Sequence, residues 1–218
     1  MATRFIQENV DPAVNGYLHT PDNANGDGIV LAHGAGSNCT ARLLVEMSES
    51  LEALGFTVLR IDLPFRVARA SGPPRPGDAE RDRRGIREAA QALQGMTRRR
   101  VYVGGHSYGG RQASMLLAED AGAADGLLLL SYPLHPPKKP DQLRTKHFAQ
   151  LTRPMFFAHG TRDPFGSIAE MKEALKLIAA RHAVLPIDGA GHELIPRKAG
   201  SAITTQIAQA FLAFVRAS

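Results

Sequence analysis

Residues 101–110 read Val-Tyr-Val-Gly-Gly-His-Ser-Tyr-Gly-Gly. The β-branched and aromatic run Val101-Tyr102-Val103 has the composition of a buried strand. It turns at once into Gly105-His106-Ser107-Tyr108-Gly109, which fits the pattern G-x-S-x-G. A serine on so sharp a strand-to-helix turn has strained backbone angles, and flanking side chains would collide there, so glycines fill both outer positions. Such a turn lifts the Ser107 hydroxyl clear of the sheet and sets it at a helix N-terminus, where backbone N–H groups favour developing negative charge. Ser107 is therefore a candidate nucleophile. With glycine at 21 of 218 positions, the pentapeptide alone also fits a glycine-rich strand exit with a capping serine, so the surrounding pattern has to decide.

Upstream, residues 4–7 and 16–20 read as short strands with turn signals at Asp11-Pro12 and Asn15-Gly16 between them. Gly28–Ala32 is a near-continuous apolar run, typical of a strand covered on both faces. It exits as His33-Gly34-Ala35-Gly36-Ser37-Asn38, small residues whose backbone N–H groups can point into a cavity. Leu43, Leu44, Met47, Leu51 and Leu54 recur at helical spacing, Gly55 stops that helix, and Thr57–Ile61 is the next strand. Residues 66–78 read as an irregular loop before a helix from about Ala79 to Leu93.

Downstream, helical spacing covers Gly110–Glu119, Leu143–Leu151, Ile168–Ala180 and about Gly200–Val215. Strands are expected at Leu127–Leu130, Met155–Ala158 and Ala183–Ile187. Strands alternating with helices of ten to fifteen residues imply right-handed βαβ units, hence an α/β fold with a mostly parallel sheet and helices on both faces. With no repeat and no convincing linker, residues 1–218 are expected to form a single domain. The short excursions leave room for only a minimal cap.

In such a sheet ligands bind beyond the carboxyl ends of the strands. Ser107, Asp163 and His192 follow three strand exits in the order Ser, Asp, His, which suits nucleophilic acyl chemistry. A base must take the serine proton, and a carboxylate must fix the tautomer of that base. Asp188, four residues before His192, is the rival acid. Asp163 is preferred because it follows the preceding strand. His33, His106, Tyr132 and Phe65 also sit near strand exits and are candidate pocket residues. The spacing of His33, His106 and His159 matches no metal motif, so no metal is expected. Cys39 has no base identifiably beside it and reads as a small buried residue.

A chain 44% hydrophobic can bury a full core, and one cysteine excludes an internal disulfide, which fits a reducing compartment. The N-terminus lacks a signal-peptide pattern and no window suits a membrane helix, so a cytoplasmic protein without a membrane partner is expected. The net charge of +5 is concentrated in residues 60–100, where eleven arginines face five acids. Arginine can hold carboxylates or phosphates. No aromatic platform or nucleic-acid motif accompanies the charge, which favours a solvated face over a nucleic-acid partner.

Nearly the whole chain resembles a compact α/β-hydrolase of the dienelactone-hydrolase-like branch. More narrowly, it is similar to small bacterial hydrolase-like proteins grouped with the testis-expressed and nonspecific-lethal-complex hydrolase-like proteins. The matching segments are His33–Gly36, Gly105–Gly110, Tyr132-Pro133-Leu134 with Pro136-Pro137, His159–Pro164 and Gly191-His192. The resemblance implies Ser107 as nucleophile, Asp163 as acid and His192 as base. It also implies an oxyanion hole from the backbone N–H of Tyr108 and of Gly34 or Ala35. Dienelactone hydrolases carry a cysteine where this chain has Ser107. The expected activity is hydrolysis of a small ester-type substrate without a cofactor. A non-catalytic binding or scaffold protein, and a thioesterase or peptidase on the same residues, are the alternatives.

Overall fold

In the computed structural model, which describes residues 2–195 and 202–217, the apolar runs become the inner strands of one eight-stranded sheet. In chain order these are β3 (Gly28–Ala32), β4 (Thr57–Asp62), β5 (Val101–His106), β6 (Gly126–Leu130), β7 (Met155–Gly160) and β8 (His182–Ile187). The first two strands, β1 (Thr3–Gln7) and β2 (Val14–His19), add an antiparallel margin against β4. The spatial order is β1-β2-β4-β3-β5-β6-β7-β8, and every pairing from β4 to β8 is parallel.

β3, β6 and most of β5 and β7 are apolar because both faces are covered, while β4 carries Arg60 and Asp62 and β8 is the part-exposed edge; along each strand successive side chains enter opposite layers. Val103, Leu127 and Leu129 pack with Ile86, Ala89 and Leu93 of α3 (Asp78–Gln94) and with Ala113 and Leu116 of α4 (Tyr108–Glu119). Their neighbours Tyr102, Leu128 and Leu130 face Leu44, Met47 and Leu51 of α1 (Arg42–Glu52) and Ile207 and Phe211 of α6 (Ala202–Arg216). Each fully buried leucine contributes roughly 2 kcal/mol to this double-sided core.

Four expectations change. Asn15-Gly16, expected in the turn between the first two strands, lies inside β2, paired with Ile6 and Phe5. Residues 66–78 are not wholly irregular: a short helix, α2 (Pro64–Ala68), opens the segment, started by a proline whose fixed φ suits the first helical turn. The helix expected over Leu143–Leu151 shrinks to one 3₁₀ turn, Phe148–Gln150. Arg144 is committed elsewhere, its N–H donating to the Leu134 carbonyl and its own carbonyl accepting the Tyr132 hydroxyl. The helix beginning at Ile168 ends at Leu175 (α5), because Lys176, Leu177 and Ile178 bond three residues back and tighten the chain out of α geometry. Gly200, the expected start of the last helix, lies outside the described residues.

Much of the arginine-rich stretch holds α3 in place. Arg69 pairs with Asp78, Arg81 with Asp11, Arg83 with Glu119 and Arg87 with Asp120. Arg60 and Arg66 are buried outright. Two of the eleven arginines are thus internal, while Arg75, Arg81, Arg84, Arg98 and Arg99 remain exposed. Among the described residues no helix is long and apolar enough to cross a membrane.

Candidate active site

Ser107 sits between β5 and α4 with φ 50° and ψ −113°, a region side-chain-bearing residues rarely occupy. The close approach on both sides explains the glycines. A Cβ at Gly105 would strike the Ala32 carbonyl oxygen, and one at Gly109 would lie 2.6 Å from the His33 carbonyl oxygen.

Four strand exits converge here. Ser107 Oγ lies 2.8 Å from His192 Nε2, and His192 Nδ1 lies 3.0 and 2.9 Å from the two oxygens of Asp163. A carboxylate only accepts, so the imidazole proton is on Nδ1 and the bare Nε2 accepts from the Ser107 hydroxyl. Burial works to raise the Asp163 carboxyl. The hydrogen bond and charge of His192, with the Phe165 N–H at 2.8 Å, outweigh it and hold the group below the usual carboxylate range. Asp188 instead accepts from the Thr161 hydroxyl at 3.3 Å.

Phe165, which the sequence did not single out, stacks on the His192 ring with centroids 4.1 Å apart and an interplanar angle of 29°. His106 Nε2 donates to the His192 backbone carbonyl at 2.9 Å, fixing His192 from the other side. Burial lowers the His106 pKa and so keeps that ring neutral.

The turn after β3 lies against the serine: a Cβ on Gly34 would stand 3.0 Å from His106 Nδ1 and 3.7 Å from Ser107 Cβ. The Gly34 carbonyl accepts from His33 Nδ1 at 2.8 Å, and His33 Nε2 accepts the Leu63 N–H at 3.1 Å. Both ring nitrogens are thereby used, and burial lowers the His33 pKa to about 4. Tyr108 is the first residue of α4, where backbone N–H groups have no acceptor within the helix.

A cavity of about 570 Å³ opens over Ser107, lined by the 34–37 turn, His106 and His192 together with apolar Leu43, Leu44, Phe165 and Ile195. Of the expected pocket residues, His106 lines it. His33, Phe65 and Tyr132 do not, and each is buried behind the wall. Phe65 packs edge-on to Tyr108, and the Tyr132 hydroxyl is held by Arg144. The wall comes from the start of α1 and from Phe165, Glu193 and Ile195. Leu43 and Leu44 read as core in the sequence because a cavity wall and a core ask for the same apolar spacing.

Among the described residues no three histidine, cysteine or acidic side chains stand together as metal ligands. Cys39 is buried, and burial raises its thiol pKa to about 12, far from a reactive thiolate.

Residues 25–217 match the family described as alpha/beta hydrolase domain. The fold is similar to that of Est1E from Butyrivibrio proteoclasticus, at 16% identity and TM-score 0.75 over 100% of this chain and 99% of that one. It is similar also to a dienelactone hydrolase from Anabaena variabilis, at 20% identity and TM-score 0.73 over 99% and 98% of the two chains. An alpha-beta serine hydrolase homologue from Coxiella burnetii gives 13% identity and TM-score 0.74 over 97% and 96%. With a parallel sheet in this strand order and a family match over nearly its full length, the chain belongs to the α/β-hydrolase family.

Proposed function

We propose that this protein is a serine hydrolase that cleaves a small ester-type substrate by acyl transfer. Its support is the unbroken hydrogen-bonded row from Ser107 through His192 to Asp163. Ser107 Oγ attacks the substrate carbonyl carbon as its proton passes to His192 Nε2. The Asp163 carboxylate keeps Nδ1 protonated and steadies the imidazolium that forms. The carbonyl oxygen becomes an oxyanion held by the backbone N–H groups of Tyr108 and Ala35. Collapse expels the alcohol, which takes the proton from Nε2 and leaves an acyl-serine. Water, deprotonated by the same nitrogen, then releases the acid.

In a trans peptide the N–H points opposite to the carbonyl. With the Gly34 carbonyl held by buried His33, the Ala35 N–H faces the other way, towards the cavity that Ala35 lines. The cavity joins apolar Leu43, Leu44, Phe165 and Ile195 with charged Arg42 and Glu193, and its size suits an acyl or alcohol group of modest length.

The test is hydrolysis of p-nitrophenyl acetate. Ser107→Ala should lower kcat on the order of 10⁶-fold while keeping the fold, and a fluorophosphonate probe should label wild type but not the variant. Equal turnover by both proteins would reject the proposal.

A further inference from the structure

Arg66 is 8% exposed, yet among the described residues no carboxylate lies within ion-pair distance of it. Its guanidinium is held by carbonyls alone. Nε donates to Ser37 O at 2.8 Å, Nη2 to Ala35 O at 3.1 Å and to Gly72 O at 3.0 Å, and Nη1 to Arg69 O at 3.3 Å. Below it lies the Phe65 ring, with the guanidinium carbon 4.9 Å from the ring centre. A buried charge without a counter-charge is costly to keep. What this one holds is the turn that borders Ser107.

We propose that Arg66 is a positioning residue that clamps the 34–37 turn so that its backbone N–H groups are aimed at the oxygen of the developing tetrahedral intermediate. The inference rests on the acyl-transfer reading above. His33 already fixes the Gly34–Ala35 peptide through the Gly34 carbonyl. Arg66 fixes the next peptide through the Ala35 carbonyl and the end of the turn through the Ser37 carbonyl, so two successive N–H groups, of Ala35 and Gly36, face away from their anchors. The guanidinium also stands at the carbonyl end of the Ala35–Gly36 peptide, where its charge polarises that peptide and strengthens the N–H at its far end. Negative charge appears there only as the reaction proceeds, so the gain falls on the transition state and not on substrate binding.

The same short helix serves the other donor. Phe65, beside Arg66 on α2, lies edge-on to the Tyr108 ring at 5.8 Å and contacts the His33 ring at 5.5 Å. Both sides of the oxyanion site are therefore referred to one element.

Two variants and two readouts test the clamp. With p-nitrophenyl acetate, Arg66→Met should lower kcat about 100-fold, comparable to losing one oxyanion donor, with KM changed less than twofold. Arg66→Lys keeps the charge but cannot span both carbonyls, and should lose about 10-fold. Amide hydrogen exchange at Ser37, whose N–H closes the turn onto the Gly34 carbonyl, should quicken at least tenfold in both. If Arg66→Met does not fold, Arg66→Lys decides by the same two measurements. A folded variant with kcat within twofold of wild type, or with unchanged exchange at Ser37, overturns the proposal. A wild type inert towards the ester, combined with faster exchange in the variants, would reject the acyl-transfer reading and the catalytic use of the clamp while leaving its mechanical part standing.

Discussion

Asp163 and Asp188 leave neighbouring strands, yet only Asp163 reaches the imidazole. The difference predicts a sharp contrast. Asp163→Asn presents an amide that no longer enforces the Nδ1 tautomer and should lower kcat about 10⁴-fold. Asp188→Asn should stay within twofold of wild type. Steady-state rates on p-nitrophenyl acetate decide, and equal losses in both would sink the assignment of the acid. At this scale the sequence put Ser107, Asp163 and His192 at strand exits in a set order, and the structure brings those three side chains into one hydrogen-bonded row. The sequence was silent on Phe165 and Arg66, whose parts depend on what lies across the fold from them. Tyr132 and Phe65 share the strand-exit placement of the site residues but turn their rings inward.

The elements follow a similar division. Strands β3, β5, β6 and β7 were legible because a strand buried on both faces must be apolar throughout. The segments after β4 and β6 were not, since their shape is set by distant partners. Residues 64–68 become helical beside Asp82 of α3, which accepts the Phe65 N–H at 3.0 Å and the Tyr108 hydroxyl at 2.7 Å. Asp82 has no exposed surface, and burial raises its pKa despite these two donors. It joins α2, α3 and the start of α4 through one side chain. Asp82→Ala should strand both donors and destabilise the protein by about 3 kcal/mol, read as a lower urea midpoint. An unchanged midpoint would show that the junction is held by packing alone.

Over the whole molecule, the fold keeps several imidazoles neutral inside. Burial lowers His33 and His147 to about 4 from an ordinary 6.5, and lowers His106 and His159 in the same direction. Between pH 6.5 and about 4 the unfolded chain binds protons that the folded chain refuses, so stability falls as pH falls through that window. His33 alone accounts for up to about 3 kcal/mol of the loss. Asp163, held low, adds its own loss only below its ordinary 3.8. Thermal melts at steps from pH 7 to pH 4.5 should show a steadily falling Tm, and a flat profile would contradict neutral buried histidines. The lone thiol adds a practical consequence. Cys39 is 1% exposed, two residues past the turn that Arg66 grips, with Arg60 on its carbonyl and Asp62 on its N–H. A maleimide dye should therefore find no target in the closed molecule and react only when that corner breathes open, making the sole sulfhydryl a native stopwatch for local unfolding.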